Sequence, residues 1–178
     1  MEPGNKFGPQ GRPGSDFNFC PRCAAPLATR ELGGLPRRAC SVGDCGFVHW
    51  DNPTPVVAAL VERDGMIVLA RNHAWPEKMF GLITGFLERD EAPEQAVVRE
   101  VKEELSLDTL AVALIGVYPF QRQHEILIVY HVEASGEIRL NEELAEFRLI
   151  EAGKLRPWES ATGLAVADWL KARGMPSA

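Results

Sequence analysis

Carboxylates of the kind that hold a cation crowd together in GFLERDEAPEQAVVREVKEELSL, residues 85–107: Glu91, Glu100, Glu103 and Glu104, with Arg99 among them. The pattern over 92–105 predicts a helix, with Pro93 tolerated in its first turn and Asp90 or Glu91 near its cap. Val97, Val101 and Leu105 form its apolar ridge at i, i+4 spacing. At about 100° per residue, Glu100, Glu103 and Glu104 share another face. Glu100 and Glu104 are like-charged i, i+4 neighbours, a repulsion of roughly 0.2–0.5 kcal/mol in an isolated helix, while Arg99 is spaced to neutralise Glu103. Two readings fit. One is a solvated anionic face. The other is a hard, all-oxygen ligand set for Mg²⁺ or Mn²⁺, ions that accept phosphate oxygens in their remaining positions. Such an ion polarises a phosphoryl group and activates water, which is what cleavage of a phosphoanhydride requires.

A second constellation is built from sulfur. Cys20-Pro21-Arg22-Cys23 is followed, after sixteen intervening residues, by Cys40 and then Cys45. Two tight turns that each present a pair of thiolates make a tetrahedral zinc site, and a closed four-ligand site is structural because it leaves no open position. The second spacing is longer than usual, so His49 stands near as a substitute ligand; ordinary reduced cysteines are the alternative. Arg22, Arg30, Arg37 and Arg38 add positive charge to this module, but no aromatic interleaving for base stacking accompanies them.

The elements that must position these groups follow from the rest of the chain. Its 178 residues allow one well-buried domain plus a small module, and its net charge of −6 argues against broad nucleic-acid binding. No apolar run of about 18 residues occurs, so no membrane span is expected. The Gly- and Pro-rich start lacks an apolar segment, so the expectation is a cytoplasmic chain with a disordered tail over 1–16. The cysteine module occupies 17–50, WDNPTP forms a linker, and 53–174 reads as mixed α/β. Within it VVAALVE and MIVLAR flank Arg63-Asp64-Gly65 as a hairpin, and FGLITGF is a further apolar run. LAVALIGVY, EILIVYHVEA and EFRLI read as strands. SATGLAVADWLKARG reads as a closing amphipathic helix, capped by Ser160 or Thr162 and stopped at Gly174. This order implies a mixed sheet covered by helices, an α/β architecture.

The full spacing says more. Gly85, five residues, Glu91, seven residues, then Arg99-Glu100-Val101-Lys102-Glu103-Glu104 with Leu107 resembles the Nudix box, G-x5-E-x7-R-E-U-x-E-E-x-G-U, where U is apolar. Ser106 stands where that family has glycine, at a position suited to a left-handed turn. FGLITGFLE is similar to the family's approach to the box, with Phe80 in place of Trp and Ile83-Thr84 in place of Pro and a small residue. A cysteine module followed by NP and then such a domain resembles the NADH pyrophosphatase branch of zinc-ribbon Nudix hydrolases, although VYPFQRQHE matches only a Pro-aromatic fragment of that branch's later motif.

The resemblance implies an α/β/α sandwich preceded by a zinc ribbon, with Glu100 and Glu104 as Mg²⁺ or Mn²⁺ ligands and Glu103 a further ligand or one acting through water. Arg99 and Glu91 would orient the carboxylates. A later glutamate completes such sites; Glu146 matches its place and Glu125 is the rival. Cys20, Cys23, Cys40 and Cys45 would hold structural Zn²⁺. Phe80, Tyr118, Phe120, Arg122 and His124 are the expected contacts to a small nucleotide substrate, and Trp75 is placed to cover a base. His73 is a further acid–base or phosphate contact, His131 reads as a packed or edge histidine, and Trp158 and Trp169 read as core. The implied reaction is hydrolysis of a nucleoside diphosphate linked to another moiety, such as NADH, FAD or ADP-ribose, giving AMP and a second monophosphate. Nucleic acid is not an expected partner except as a nucleotide-capped RNA end. Competing readings are a non-catalytic nucleotide-sensing or nucleic-acid-binding module and a nucleoside triphosphate pyrophosphohydrolase. Ribbon-bearing relatives are often homodimers, but the sequence leaves the pairing of two chains open.

Overall fold

A computed structural model of the protein describes residues 17–175, and a glycine pair and cysteine turns shape its N-terminal part. The expectation of a disordered tail over 1–16 lies outside the described residues. The described chain divides into two compact units between Pro53 and Thr54. In the first, β1 (Leu27–Leu32) and β2 (Leu35–Cys40) pair antiparallel, and β3 (Val48–His49) adds to β2. Their hairpin turns on Gly33 and Gly34, both at positive φ (63° and 75°), the backbone that a two-residue hairpin matched to strand twist demands.

The second unit is organised by β4 (Thr54–Arg63), in which every residue from Val56 to Val61 is buried. A strand buried on both faces reads as a continuous apolar run rather than an alternating one. β4 forms a hairpin with β5 (Met66–Asn72) through the predicted Asp64-Gly65 turn. β6 (Ile83–Phe86) pairs antiparallel with the start of β4. β7 (Asp108–Phe120), β8 (Glu125–Ser135) and β9 (Leu144–Glu151) complete a six-stranded sheet in the order β7-β8-β4-β5-β9, with β6 beside β4. The β4–β8 pair is parallel and the other pairs are antiparallel, so the sheet is mixed, as expected.

Alternation along β4 assigns the two faces. Val57, Ala59 and Val61 pack with Val97, Val101 and Leu105 of α1 (Pro93–Leu105). Val56, Ala58 and Leu60 pack with Val166, Trp169 and Leu170 of α2 (Thr162–Ala172). The result is the expected α/β/α sandwich. Among the described residues no helix is long and apolar enough to cross a membrane.

Helix ends differ in detail from the sequence reading. The α1 cap is Ala92, with Asp90 and Glu91 just before it: the Ala92 N–H donates to Gln95 Oε1 at 3.2 Å, while Glu91 is engaged by Arg99. The α2 cap is Ala161, so neither Ser160 nor Thr162 caps through its side chain. Ser106 does adopt the left-handed turn, at φ 60°, and its hydroxyl donates to the Arg139 carbonyl at 3.1 Å. His131 is packed as read, its ring 5.4 Å from the buried Trp169 and its Nε2 2.8 Å from Glu62.

Because each helix covers one face, Leu60→Ala and Leu105→Ala should each destabilise the protein by about 2–5 kcal/mol. The measurement is a lower urea midpoint at an unchanged denaturant slope.

Candidate active site

Arg99 organises the acidic face of α1. Its guanidinium donates two bonds to Glu91, at 2.9 and 3.0 Å, one to Glu100 Oε1 at 2.6 Å and one to Glu103 Oε2 at 3.0 Å. It also donates to the Phe86 carbonyl at 3.2 Å, tying the helix to the end of β6. The paired bonds from Arg99 hold the Glu91 carboxyl below its ordinary range, and Glu91 in turn accepts the Glu88 N–H at 3.2 Å. Gly85 has a related role. A Cβ there would collide with the Glu100 carboxyl group, so only glycine lets that side chain lie against β6.

Glu104 is in the opposite condition. It is 8% exposed, and among the described residues no donor is hydrogen-bonded to its carboxylate. Burial, followed by the charges of Glu100, Glu143 and Glu103, pushes its pKa up to about 8. Burial also raises Glu100, against the pull of Arg99, and raises Glu125. Glu143 comes from the β8–β9 connection, which crosses the end of α1: the Arg139 N–H bonds the Leu105 carbonyl and the Asn141 N–H bonds that of Glu104. The Asn141 side chain then accepts the N–H groups of Glu143 and Leu144, at 3.1 and 3.3 Å.

Glu88, Glu100, Glu103, Glu104, Glu125 and Glu143 line one cavity of about 410 Å³. This donor set suits a hard divalent cation, and the unpaired buried carboxyl of Glu104 is the group such an ion would satisfy. Glu146 is not brought to this cavity. It lies on β9 and pairs with Arg71 of β5 at 3.1 Å, while Glu143, three residues earlier, faces Glu104 instead. The Asn141-Glu142-Glu143 turn was the sequence signal for it, an Asn able to bond the backbone two residues on.

A larger cavity of about 860 Å³ adjoins the first, sharing Val56, Thr84 and Glu125 with it. Phe80, Phe120, Arg122 and Trp75 line it as expected, and Arg148 stacks on the Phe80 ring at 3.8 Å. Trp158, read as core, also lines it, as do Lys78 and Met79. Tyr118 and His124 do not. The Tyr118 hydroxyl bonds Asp168 at 2.7 Å, and burial together with that carboxylate lifts its pKa to about 12. His124 sits at positive φ in the β7–β8 turn, where its carbonyl accepts the Thr54 N–H.

In the first unit the four cysteines bring their sulfurs within 4.8 Å of one another, with Cys20–Cys45 at 3.6 Å and Cys23–Cys40 at 3.5 Å. Sulfurs bound to one tetrahedral zinc at about 2.3 Å stand about 3.8 Å apart, so the arrangement fits that ion. Burial opposes the Cys20 thiolate, yet bonds from the Arg22 and Cys23 N–H groups lower its pKa to about 7. His49 is not needed as a ligand; its ring packs on Phe17 at 4.9 Å.

The NUDIX domain matches residues 52–170, and the chain belongs to that family. Its curated relatives include an NAD-capped RNA hydrolase NudC of Stutzerimonas stutzeri, 30% identical over 125 residues that cover 70% of this chain and 44% of that protein. Another, from Mycobacterium bovis, is 35% identical over 129 residues, covering 71% and 40%. The chain thus spans less than half the length of these relatives. Among solved structures, a NUDIX hydrolase from Nitrosomonas europaea superposes with a TM-score of 0.71 at 23% identity, over 90% of this chain and 96% of that one. An ADP-ribose pyrophosphatase from Streptococcus suis superposes at 0.56 with 21% identity, over 68% and 92%. At such identities the likeness is one of fold.

The raised Glu104 pKa sets a pH dependence. Unfolded, this carboxyl titrates near 4.3, so the native state holds an extra proton between there and about 8. The stability it contributes is present below about pH 4.3 and is lost as pH rises through about 8. Without added Mg²⁺ or Mn²⁺, the thermal midpoint should therefore fall between about pH 5 and about pH 8, and Glu104→Gln should flatten that fall.

Proposed function

We propose that this chain hydrolyses the diphosphate of a nucleoside diphosphate linked to a second group, an adenine dinucleotide or ADP-sugar, in a Mg²⁺- or Mn²⁺-dependent reaction. The products are AMP and a second monophosphate. One observation carries the reading: a cavity walled by six carboxylates opens beside a larger aromatic-lined cavity, and the two share Val56, Thr84 and Glu125. That is the layout for a charged diphosphate joined to a flat base. The names of the curated relatives, NAD-capped RNA hydrolases, support a dinucleotide, whether free or as an RNA cap.

Glu100 and Glu104 are the metal ligands in this reading, with Glu103 a further ligand or one that acts through water. Glu143 and Glu125 take the place that the family resemblance gave to Glu146. When bound, the ion supplies charge neutralisation at the phosphate oxygens and an activated water. Arg99, anchored by Glu91, fixes where the carboxylates of Glu100 and Glu103 stand. Arg122 is positioned to meet a phosphate, and Trp75, Phe80, Phe120 and Trp158 offer apolar and aromatic surface to the base. The four cysteines hold a structural Zn²⁺.

Glu100→Gln and Glu104→Gln should each lower kcat by on the order of 10²–10³-fold, the range for removing one electrostatic stabiliser, with the thermal melt still cooperative. A substrate panel with and without Mg²⁺ checks the chemistry: the reading requires metal-dependent AMP release, whereas pyrophosphate release from nucleoside triphosphates would point to the other Nudix activity. Zinc analysis should find one ion per chain, and Cys20→Ser should remove it.

A further inference from the structure

The start of α2 forms one wall of the larger cavity, which Trp158, Ser160, Ala161 and Thr162 line. Gly163 seats the Trp158 ring there: a Cβ at that position would run into the Trp158 carbonyl and indole, so only glycine lets the chain before the helix lie against its first turn. Ala161 stands at φ 52° and ψ −126°, a backbone that residues with a side chain rarely take and that persists only where its surroundings impose it. The next N–H groups are satisfied. That of Gly163 bonds the Ser160 carbonyl at 3.0 Å and that of Leu164 bonds the Ala161 carbonyl at 3.3 Å. Thr162 is treated differently. It is 8% exposed, yet among the described residues neither its N–H nor its hydroxyl has a hydrogen-bond partner. A buried polar group left unpaired costs stability, and a ligand in the cavity that Thr162 lines would satisfy it.

We infer that Thr162 reads the edge of the substrate's base, with the Trp158 indole as the surface on which that base stacks. The inference rests on the adenine-containing substrate proposed above and names the residue that selects it. A main-chain N–H can only donate, while the hydroxyl beside it can accept. Their complement is an acceptor next to an amino donor, which adenine presents as N1 and N6 on one edge. Stacking combined with bonds to that edge is how a protein pocket holds an unpaired base. The start of a helix would otherwise favour a phosphate. Here Glu159, on the same wall, opposes an anion, and the N–H groups of Gly163 and Leu164 are already engaged. An uncharged base meets neither obstacle.

Calorimetric titration of the full chain with AMP and with 1,N6-etheno-AMP, both in Mg²⁺, tests this, because the etheno bridge removes the N6 donor and blocks N1 but keeps a flat ring. The wild type should bind AMP about tenfold more tightly than the etheno nucleotide, the worth of one or two net hydrogen bonds. Thr162→Val keeps the side-chain shape and loses the hydroxyl; it should weaken AMP about fivefold and leave etheno-AMP unchanged. Thr162→Ser should retain the wild-type preference. No binding of AMP by the wild type, equal binding of the two nucleotides, an unchanged preference in Thr162→Val or a lost one in Thr162→Ser would overturn the inference. AMP is a product and is not itself cleaved, so these titrations are read independently of turnover. ADP-ribose left intact in Mg²⁺ and in Mn²⁺ would count against the proposed hydrolysis alone.

Discussion

Mutual repulsion among carboxylates in a partly buried cavity is the constraint on which the rest of this structure depends. Six glutamates face a space of about 410 Å³, and Arg99 engages two of them, Glu100 and Glu103, there. Removing a carboxylate from water costs several kcal/mol unless a partner compensates. Glu91 is therefore as important as the glutamates that face the cavity, because its two bonds keep the guanidinium fixed beside Glu100. Gly85 acts in the same direction by subtracting a side chain. Glu104 has no such compensation, and its raised pKa records that fact.

The fold places this tension where it is useful. β4 is buried on both faces and pairs in parallel with β8, so its first residues and those of β8 end at the same rim of the sheet. Glu125, Val56 and Thr84 meet there and form the boundary between the two cavities. Each cavity then takes its character from a different layer. The anionic one draws on α1 and the loop that crosses its C-terminal end. The aromatic one draws on the β5–β6 connection and the residues leading into α2. A ligand that is charged at one end and flat at the other would engage both layers at once, without either helix having to move.

Local chemistry explains why much of this was legible beforehand. The i, i+3, i+4 spacing of Glu100, Glu103 and Glu104 fixes them to one helix face, and a continuous apolar run bounded by Asp64-Gly65 fixes β4 and its hairpin. Cys20, Cys23, Cys40 and Cys45 could be grouped because paired turns bring thiols together over short chain distances. Helix caps were less legible: Ala92 and Ala161 have no polar side chain of their own, and at α1 the polar group comes from Gln95, three residues on. Trp158 packs against the α2-side core, as read, and also lines the larger cavity, a second role that the local pattern of a half-buried aromatic does not disclose.

The sequence by itself determined the elements, the acidic face and the cysteine pairs, because each arises from interactions between residues close in the chain. Tertiary structure alone decided which distant glutamate joins Glu104. Glu143 and Glu146 are three positions apart and chemically identical, but one is turned inward by Asn141 and the other is drawn to Arg71 on the neighbouring strand. It also decided that Tyr118, on the same face of β7 as Phe120, bonds Asp168 of α2 while Phe120 lines the cavity. Spacing along the chain sets the helix face and the strand period; which partner a side chain meets depends on elements that only folding brings together.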